Sequence, residues 1–292
     1  MEPAEVLTIA DTRSQDAMVS SLRTMFPGIR IVGEEDETAT QGSSGETPTE
    51  LEEVPLLAGL EAPKQLASSL TYADTCLWID PLDGTIEFVR GNLHNVCVLI
   101  GIAVCDRPVA GIVLQPFVGG DEGIVTYGAI GVGVFSDRKP ASGDAPSKLI
   151  VGMEQKTANR EHIVKAMQNL NAETSISQAA GQNLLKVLRG ETSAFVQGPG
   201  ASRWDSCAGE ALLMAVGGKV TTLEGQPYIY KQGAASYLNA EGLIAARNGE
   251  IYAKIEEAVS KEGGLLPFKE QCRSTSTCLC FEGISRMLQR KQ

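Results

Sequence analysis

From Lys148 to Val259 the sequence alternates between short apolar runs with strand character and longer segments whose apolar residues recur at helical spacing. Lys148–Val151, Ser193–Val196, Lys219–Leu223 and Gly242–Ala246 read as strands. Asn159–Leu170, Gln182–Leu188, Asp205–Val216 and Glu250–Val259 read as helices, the third closed by Gly217-Gly218. Such alternation leaves few ways to bury the apolar faces. Helices must cover the faces of a sheet, so this part of the chain is α/β. The part before it follows another pattern. Asp16–Phe26 sets Met18, Leu22, Met25 and Phe26 on one helical face, stopped by Pro27-Gly28. Ile29–Val32 and Cys76–Ile79 are short strands. Asn95–Val104 and Val109–Phe117 form a hairpin about Asp106-Arg107-Pro108, and YGAIGVGVF adds one more strand. Helix, hairpin and meander make an α+β arrangement. The expected division is an α+β subdomain over residues 1–137, a linker rich in Lys, Pro, Gly and Ser over 138–147, an α/β subdomain over 148–262, and a tail over 263–292 with no clear pattern. Residues 37–53, polar and acidic, read as a surface loop.

Charge narrows the partners. A net charge of -11 over 292 residues argues against a nucleic-acid polymer or an anionic membrane as the main partner. It leaves room for a small phosphorylated metabolite, because a bound cation inverts the local sign. The longest apolar stretch, around Val96–Val104, is too short to span a bilayer, and the opening MEPAEVLTIAD lacks the basic and apolar regions of a secretory leader. Cys76, Cys97, Cys105 and Cys207 lie in apolar segments and read as buried free thiols of a reducing, cytoplasmic compartment. Cys272, Cys278 and Cys280 crowd the tail, but with no CxxC pair and only His94 and His162 in the chain, a thiolate metal site there lacks its usual partners. His94, in NLHNV, reads as a surface or turn residue.

The chemistry is in the acids. WIDPLDGT, Trp78–Thr85, puts Asp80 and Asp83 three positions apart where an apolar strand ends. Asp-Pro and Asp-Gly both form turns, and a turn is the plain structural reading. Glu34 and Glu35 also follow a strand, and Asp205 opens a helix, where an N-cap role would suffice. Yet Asp11, Glu34, Asp80, Asp83 and Asp205 all fall at element boundaries, where sites collect. Converging carboxylates raise one another's pKa, and a hard divalent cation with oxygen ligands relieves the repulsion. The DxDGT of covalent aspartyl phosphatases spaces its acids two apart, on one side of an extended strand. The DxxDGT spacing here, with no downstream lysine and acidic pair, sets that reading aside.

The motifs GEE (Gly33–Glu35), WIDPLDGTIEF (Trp78–Phe88) and WDSCAGEALLMAVGGKV (Trp204–Val220), in this order, resemble the lithium-sensitive, metal-dependent inositol monophosphatase family. DPLDGTIEFVRGNLHNVCVLIGIAVCDRPVAGIVLQPF is most similar to its 3'(2'),5'-bisphosphate nucleotidases. The resemblance runs from about Thr8 to Arg247. It implies an α/β (α+β) fold, a layered αβαβα sandwich, with the N-terminal helices shortened. It implies Mg²⁺, two or three ions per site, held by Glu34, Asp80, the Leu82 carbonyl, Asp83 and Asp205. It assigns Asp11 and Thr85 to the attacking water, and Gly84, Thr85 and Asp205 to substrate binding. The implied reaction removes the 3'-phosphate of adenosine 3',5'-bisphosphate to give AMP, with PAPS and inositol 1,4-bisphosphate as further substrates. The alternatives are an inositol phosphate phosphatase, or a catalytically weak relative that binds or regulates; homodimerisation is left open.

The chain departs from that pattern in two places. Family members carry two helices ahead of the position of Asp11, where ten residues stand here, and the expectation is exposed apolar surface around Asp11. The nucleotidases also hold the second phosphate with a histidine and lysines. Their counterparts here are Thr157, Asn183 and Glu191, leaving Lys156, Lys186, Arg189 and Arg203 as the cations that compensate.

Overall fold

The computed structural model describes residues 7–35, 74–136, 148–234 and 236–264. The expected loop 37–53, the linker 138–147 and the tail cysteines lie outside the described residues.

A helix, α1 (Ile9–Met25), starts seven residues ahead of the expected Asp16, because Thr8 and Asp11 form a capping box at its N-terminus. Its buried face is also not the apolar one read from the sequence. Asp11, Gln15 and Val19, four apart, point inward, while Met25 and Phe26 are exposed. The helix is docked by polar contacts: the Gln15 side chain donates to the Glu35 carbonyl at 2.7 Å and accepts from the Glu35 N–H at 3.0 Å. Leu7 and Ile9 are exposed as well, as expected near Asp11.

Behind α1 lies a six-stranded sheet in chain order: β1 (Arg30–Gly33), β2 (Thr75–Asp83), β3 (Cys97–Val104), β4 (Arg107–Gln115), β5 (Ile124–Ala129) and β6 (Gly133–Ser136). β1 and β2 run parallel, and the other pairs are antiparallel. The β3–β4 hairpin turns at Cys105-Asp106, whose φ values of 49° and 62° fit a tight two-residue hairpin turn. Arg107 and Pro108, expected in the turn, open β4. Cys105 is correspondingly exposed, against the expectation of four buried thiols; Cys76, Cys97 and Cys207 are buried. YGAIGVGVF proves to be a hairpin, not one strand, since its glycines form the β5–β6 turn.

The second sheet has the order β11 (Lys219–Thr221), β13 (Leu243–Ala246), β9 (Ala194–Gln197), β7 (Ile150–Met153) and β8 (Glu173–Ile176). Parallel pairs β7–β8 and β7–β9 are linked through helices, as the alternating sequence requires. Short strands β10 (Ala201–Ser202) and β12 (Leu238–Asn239) pair separately. Between the two sheets lie α5 (Ala180–Arg189) and α6 (Arg203–Ala215); α4 (Glu161–Asn169) and α7 (Gly249–Val259) cover the far face of the second sheet. Short helices α2 (Thr85–Val89) and α3 (Gln155–Ala158) complete the set. The layers run α1, sheet, α5/α6, sheet, α4/α7, as expected.

Two apolar cores result. One joins Trp78, Leu99 and Val113 of the first sheet to Leu184, Leu188, Leu212 and Phe195; the other packs Val151, Met153 and Ile244 against Ile163, Met167 and Ile255. The contact of α6 with the first sheet is close. Gly101 and Gly111 face each other across β3 and β4. A Cβ on Gly101 would lie 2.5 Å from the Cys207 side chain, and one on Gly111 would lie 2.3 Å from the Ala208 carbonyl oxygen. No helix among the described residues is long and apolar enough to cross a membrane.

Candidate active site

The expected acids gather where β1 and β2 end. β2 extends to Asp83, past the Ile79 at which the sequence suggested an end. Its pairing with β3 shifts: Asp80 faces Leu99, but Asp83, three residues on, faces Cys97, two residues back. That bulge brings both carboxyl groups, which a regular strand would send to opposite faces, into interaction with each other. Burial drives the Asp80 carboxyl well above the usual carboxylate range, and the neighbouring charges of Glu34, Asp83 and Asp205 push it further. Its side chain hydrogen-bonds Glu34, which acts in the same direction, as expected of two carboxyl groups sharing a proton. Asp83 is raised for the same reasons, burial first and Asp205 next, against the lowering effect of two backbone donors.

Those donors are the Ala180 and Gly181 N–H groups at the N-terminus of α5, 3.0 and 2.7 Å from the two Asp83 oxygens. Asp205 accepts from the Ser202 N–H at 2.7 Å, in a capping box that opens α6. Asp80 Oδ1 accepts from the Leu82 N–H at 3.0 Å. Among the described residues, no group of three or more His, Cys, Asp or Glu side chains is disposed to hold one ion as it stands. The acids lie close together, with Asp80, Asp83 and Asp205 each turned to a local backbone donor.

Asp11 shows the same economy. One oxygen accepts from Thr8 and closes the α1 cap; the other accepts from the Thr85 hydroxyl at 3.0 Å, with the Leu82 carbonyl 3.2 Å from the same hydroxyl. Gly84 caps α2 with φ 88°, and a Cβ there would lie 2.9 Å from the Ala179 Cβ. Asp11, Thr85, Gly84, Leu82, Asp80, Asp83, Asp205 and Glu34 thus form one neighbourhood. His94 is exposed in a single turn of 3-10 helix, as read, and Trp204 packs edge-on against Tyr237.

Two carboxyl groups of this neighbourhood escape a reading of the sequence. Glu154, at the end of β7, lies beside Asp205; burial and then that charge raise its pKa to about 7, against a 2.7 Å hydrogen bond from Gln197. Glu87 of α2 accepts from Asn95 at 3.1 Å and from the Gln178 N–H at 3.2 Å, tying the first sheet to the approach of α5. Burial would raise the Glu87 carboxyl, but these hydrogen bonds, with one from Asn92, outweigh it and lower the pKa. The only trace in the sequence is an acid inside an apolar run, TIEFV. The expected cations also need correction. Arg189 is buried and donates to Gln115 at 2.6 Å, and Arg203 lies over the Tyr228 ring, 4.5 Å from its centroid, and contacts Glu241. The Thr157 hydroxyl accepts from the Gly198 N–H, and Asn183 donates to the Ser177 and Ala179 carbonyls, so both serve the backbone.

The sequence matches the inositol monophosphatase family over residues 1–263. The rat 3'(2'),5'-bisphosphate nucleotidase 1 is 33% identical over 281 residues, covering 90% of this chain and 86% of that protein. The human protein of the same name is 33% identical over 273 residues, covering 87% and 84%. An inositol monophosphatase structure from Anabaena superposes with a TM-score of 0.62 at 23% identity, covering 87% of each chain. The extragenic suppressor protein suhB of Bartonella henselae superposes with a TM-score of 0.64 at 19% identity, covering 89% of this chain and 86% of that one. Family match, identity and layered fold agree: the chain belongs to the inositol monophosphatase family, a family of phosphatases.

Proposed function

We propose that this phosphatase is a Mg²⁺-dependent phosphomonoesterase that removes the 3'-phosphate of adenosine 3',5'-bisphosphate. The observation that carries the phosphomonoesterase reading is the Thr85–Asp11 hydrogen bond at the edge of a buried carboxyl cluster. The nucleotide is supported by the names of the relatives at 33% identity.

The donor set fits a hard divalent cation. Glu34, Asp80, Asp83, Asp205 and the Leu82 carbonyl offer only oxygen, and an oxygen that accepts one N–H keeps a second lone pair. Like charges buried together, with pKa values raised, are what such a cation stabilises. Binding requires side-chain rotation that breaks the hydrogen bond between Glu34 and Asp80. When bound, the ions supply positive charge that polarises the phosphoryl group and stabilises the departing oxygen. The residues themselves do the rest. Thr85, its proton directed to Asp11, leaves its oxygen free to accept from a water and fix its position. As the water oxygen bonds to phosphorus, its proton passes to the Thr85 oxygen and the Thr85 proton passes to Asp11. The bond from phosphorus to the ester oxygen breaks, and that oxygen leaves as an alcohol after protonation from solvent. Gly84, at φ 88°, lets the backbone turn from Asp83 into Thr85.

A second reading, an inositol phosphate phosphatase, is favoured by the engagement of Arg189 and Arg203 elsewhere, which removes two candidate ligands for a second phosphate. Phosphate release measured with Mg²⁺ across adenosine 3',5'-bisphosphate, AMP, inositol 1,4-bisphosphate and inositol 1-phosphate decides between them. Release from none of the four would leave a binding or regulatory relative.

A further inference from the structure

The mechanism uses Asp11, Thr85 and the acids of the first sheet, and leaves Glu154 without a task. Glu154 directly follows β7 in the second sheet, stands at the N-cap of α3 and is half-buried. Gln197, 1% exposed on the adjacent strand β9, donates to its Oε1 at 2.7 Å. No described residue donates to Oε2. One oxygen is therefore held by a buried amide, and the carboxyl group lies beside Asp205 and Asp83. Asp83 and Asp205 are its charged neighbours within the cluster, and Lys156, exposed on α3, is the cation that offsets it.

Displacement at phosphorus sets the direction of the substrate. The attacking and leaving oxygens lie on opposite sides of the phosphorus atom. Pairwise neighbours link Asp11 to Thr85, Thr85 to Leu82, and Asp83 to Asp205 and Glu154. With the water at the Asp11–Thr85 end, the leaving alcohol faces the second sheet. There the chain offers a fixed carboxyl oxygen, a group that accepts hydrogen bonds and repels anions.

We propose that Glu154 is a specificity-determining residue that accepts a hydrogen bond from a free hydroxyl on the leaving group, next to the ester oxygen. The preferred substrates are then phosphate monoesters of vicinal diols, such as a ribose 3'-phosphate with its 2'-hydroxyl intact. A second phosphate placed on that neighbouring oxygen is rejected. Gln197 is a positioning residue for the same contact. This inference rests on the phosphomonoesterase reading and refines its substrate class.

The test compares kcat/KM within each enzyme preparation, so that losses in folded fraction cancel. The pair is adenosine 3',5'-bisphosphate and its 2'-deoxy analogue. The unmodified protein is expected to favour the ribose substrate by about 10- to 100-fold, the range for a hydrogen bond to a charged acceptor. Glu154→Ala should bring the ratio close to one, chiefly through KM, and Glu154→Gln, which keeps an acceptor oxygen, should restore part of it. An unmodified enzyme without preference, or a Glu154→Ala ratio equal to that of the unmodified protein, overturns the proposal. If neither nucleotide releases phosphate, the nucleotide reading fails. The same ratio measured on inositol 1-phosphate against cyclohexyl phosphate then decides the role of Glu154, and no hydrolysis of that pair either rejects both.

Discussion

Glu210→Gln is expected to stabilise the protein, and to do so only at neutral and alkaline pH. Glu210 lies in α6 with its side chain fully buried. It accepts from the Tyr230 hydroxyl at 2.6 Å, and Arg107, one-fifth exposed, stands 3.4 Å away. A salt-bridge reading makes Glu210 stabilising wherever it is charged. The balance is otherwise: burial raises its pKa from 4.5 to about 7, over the opposing effects of Tyr230, Arg107 and Arg203. Between those values the folded protein holds a proton that the unfolded chain has released. Stability is therefore lost as pH rises from 4.5 toward 7, and the full loss is present above 7. The interval corresponds to about 3 kcal/mol at most. Glutamine keeps the acceptor for Tyr230 and carries no charge at any pH. Urea unfolding at constant ionic strength should give nearly equal stabilities for the two proteins at pH 5 and a gap opening to about 2–3 kcal/mol in favour of Glu210→Gln by pH 8. A gap independent of pH, or one that favours the unmodified protein at pH 8, would refute the reasoning and restore the salt bridge.

Asp80→Asn and Asp83→Asn should both abolish phosphate release yet differ in stability measured without Mg²⁺. An asparagine at 80 can keep the hydrogen bond to Glu34 and removes a buried like charge, leaving stability unchanged or higher, whereas one at 83 must turn its amide toward the Ala180 or Gly181 N–H and should cost about 1 kcal/mol. Equal shifts in melting temperature would count against these assignments. Thr85→Ala should lower kcat by about 10²-fold or more with KM little changed, and Thr85→Ser should recover much of it, because only the hydroxyl directed at Asp11 is at stake. Steady-state kinetics on all three proteins checks this. Gly111→Ala should cost about 2 kcal/mol or more in urea unfolding, since the added methyl meets the Ala208 backbone rather than a side chain that could move; a loss under 0.5 kcal/mol would mean that the layers can part freely.

Much of this architecture is legible before any coordinate. The alternation from Lys148 onward gives the second sheet and its helices, since period and punctuation agree there. What escaped is of three kinds. β8, with exposed Glu173, Thr174 and Ile176, has no apolar run to announce it and exists because β7 offers an edge. α1 hides its docking face because Asp11 and Gln15 are held by hydrogen bonds and Val19 is the one apolar residue among the three, which leaves no apolar period. The hairpin in YGAIGVGVF depends on glycine conformations that a pattern of apolar residues does not carry. In the site, Asp11, Glu34, Asp80, Asp83 and Asp205 could be marked as acids at boundaries, but their meeting could not, since the bulge after Asp80 appears only in the pairing with β3. Glu154 and Glu87 enter through tertiary packing alone, and Arg189 and Arg203 leave the list of free cations for the same reason.

The glycines beneath α6 act as a spacer gauge. Backbone rests on backbone at Gly111, so the distance between the first sheet and α6 is set by main-chain radii and by no replaceable side chain. The first sheet delivers Asp80 and Asp83, and α6 delivers Asp205 from its first turn. The span across which the acids face each other is thus fixed several residues away from any of them. Core substitutions elsewhere can be compensated by repacking, but a methyl group here can only be met by lifting the whole helix, and Asp205 would travel with it. The separation of Asp205 from Asp80 and Asp83 is thus held constant by Gly101 and Gly111, two positions outside the acidic cluster.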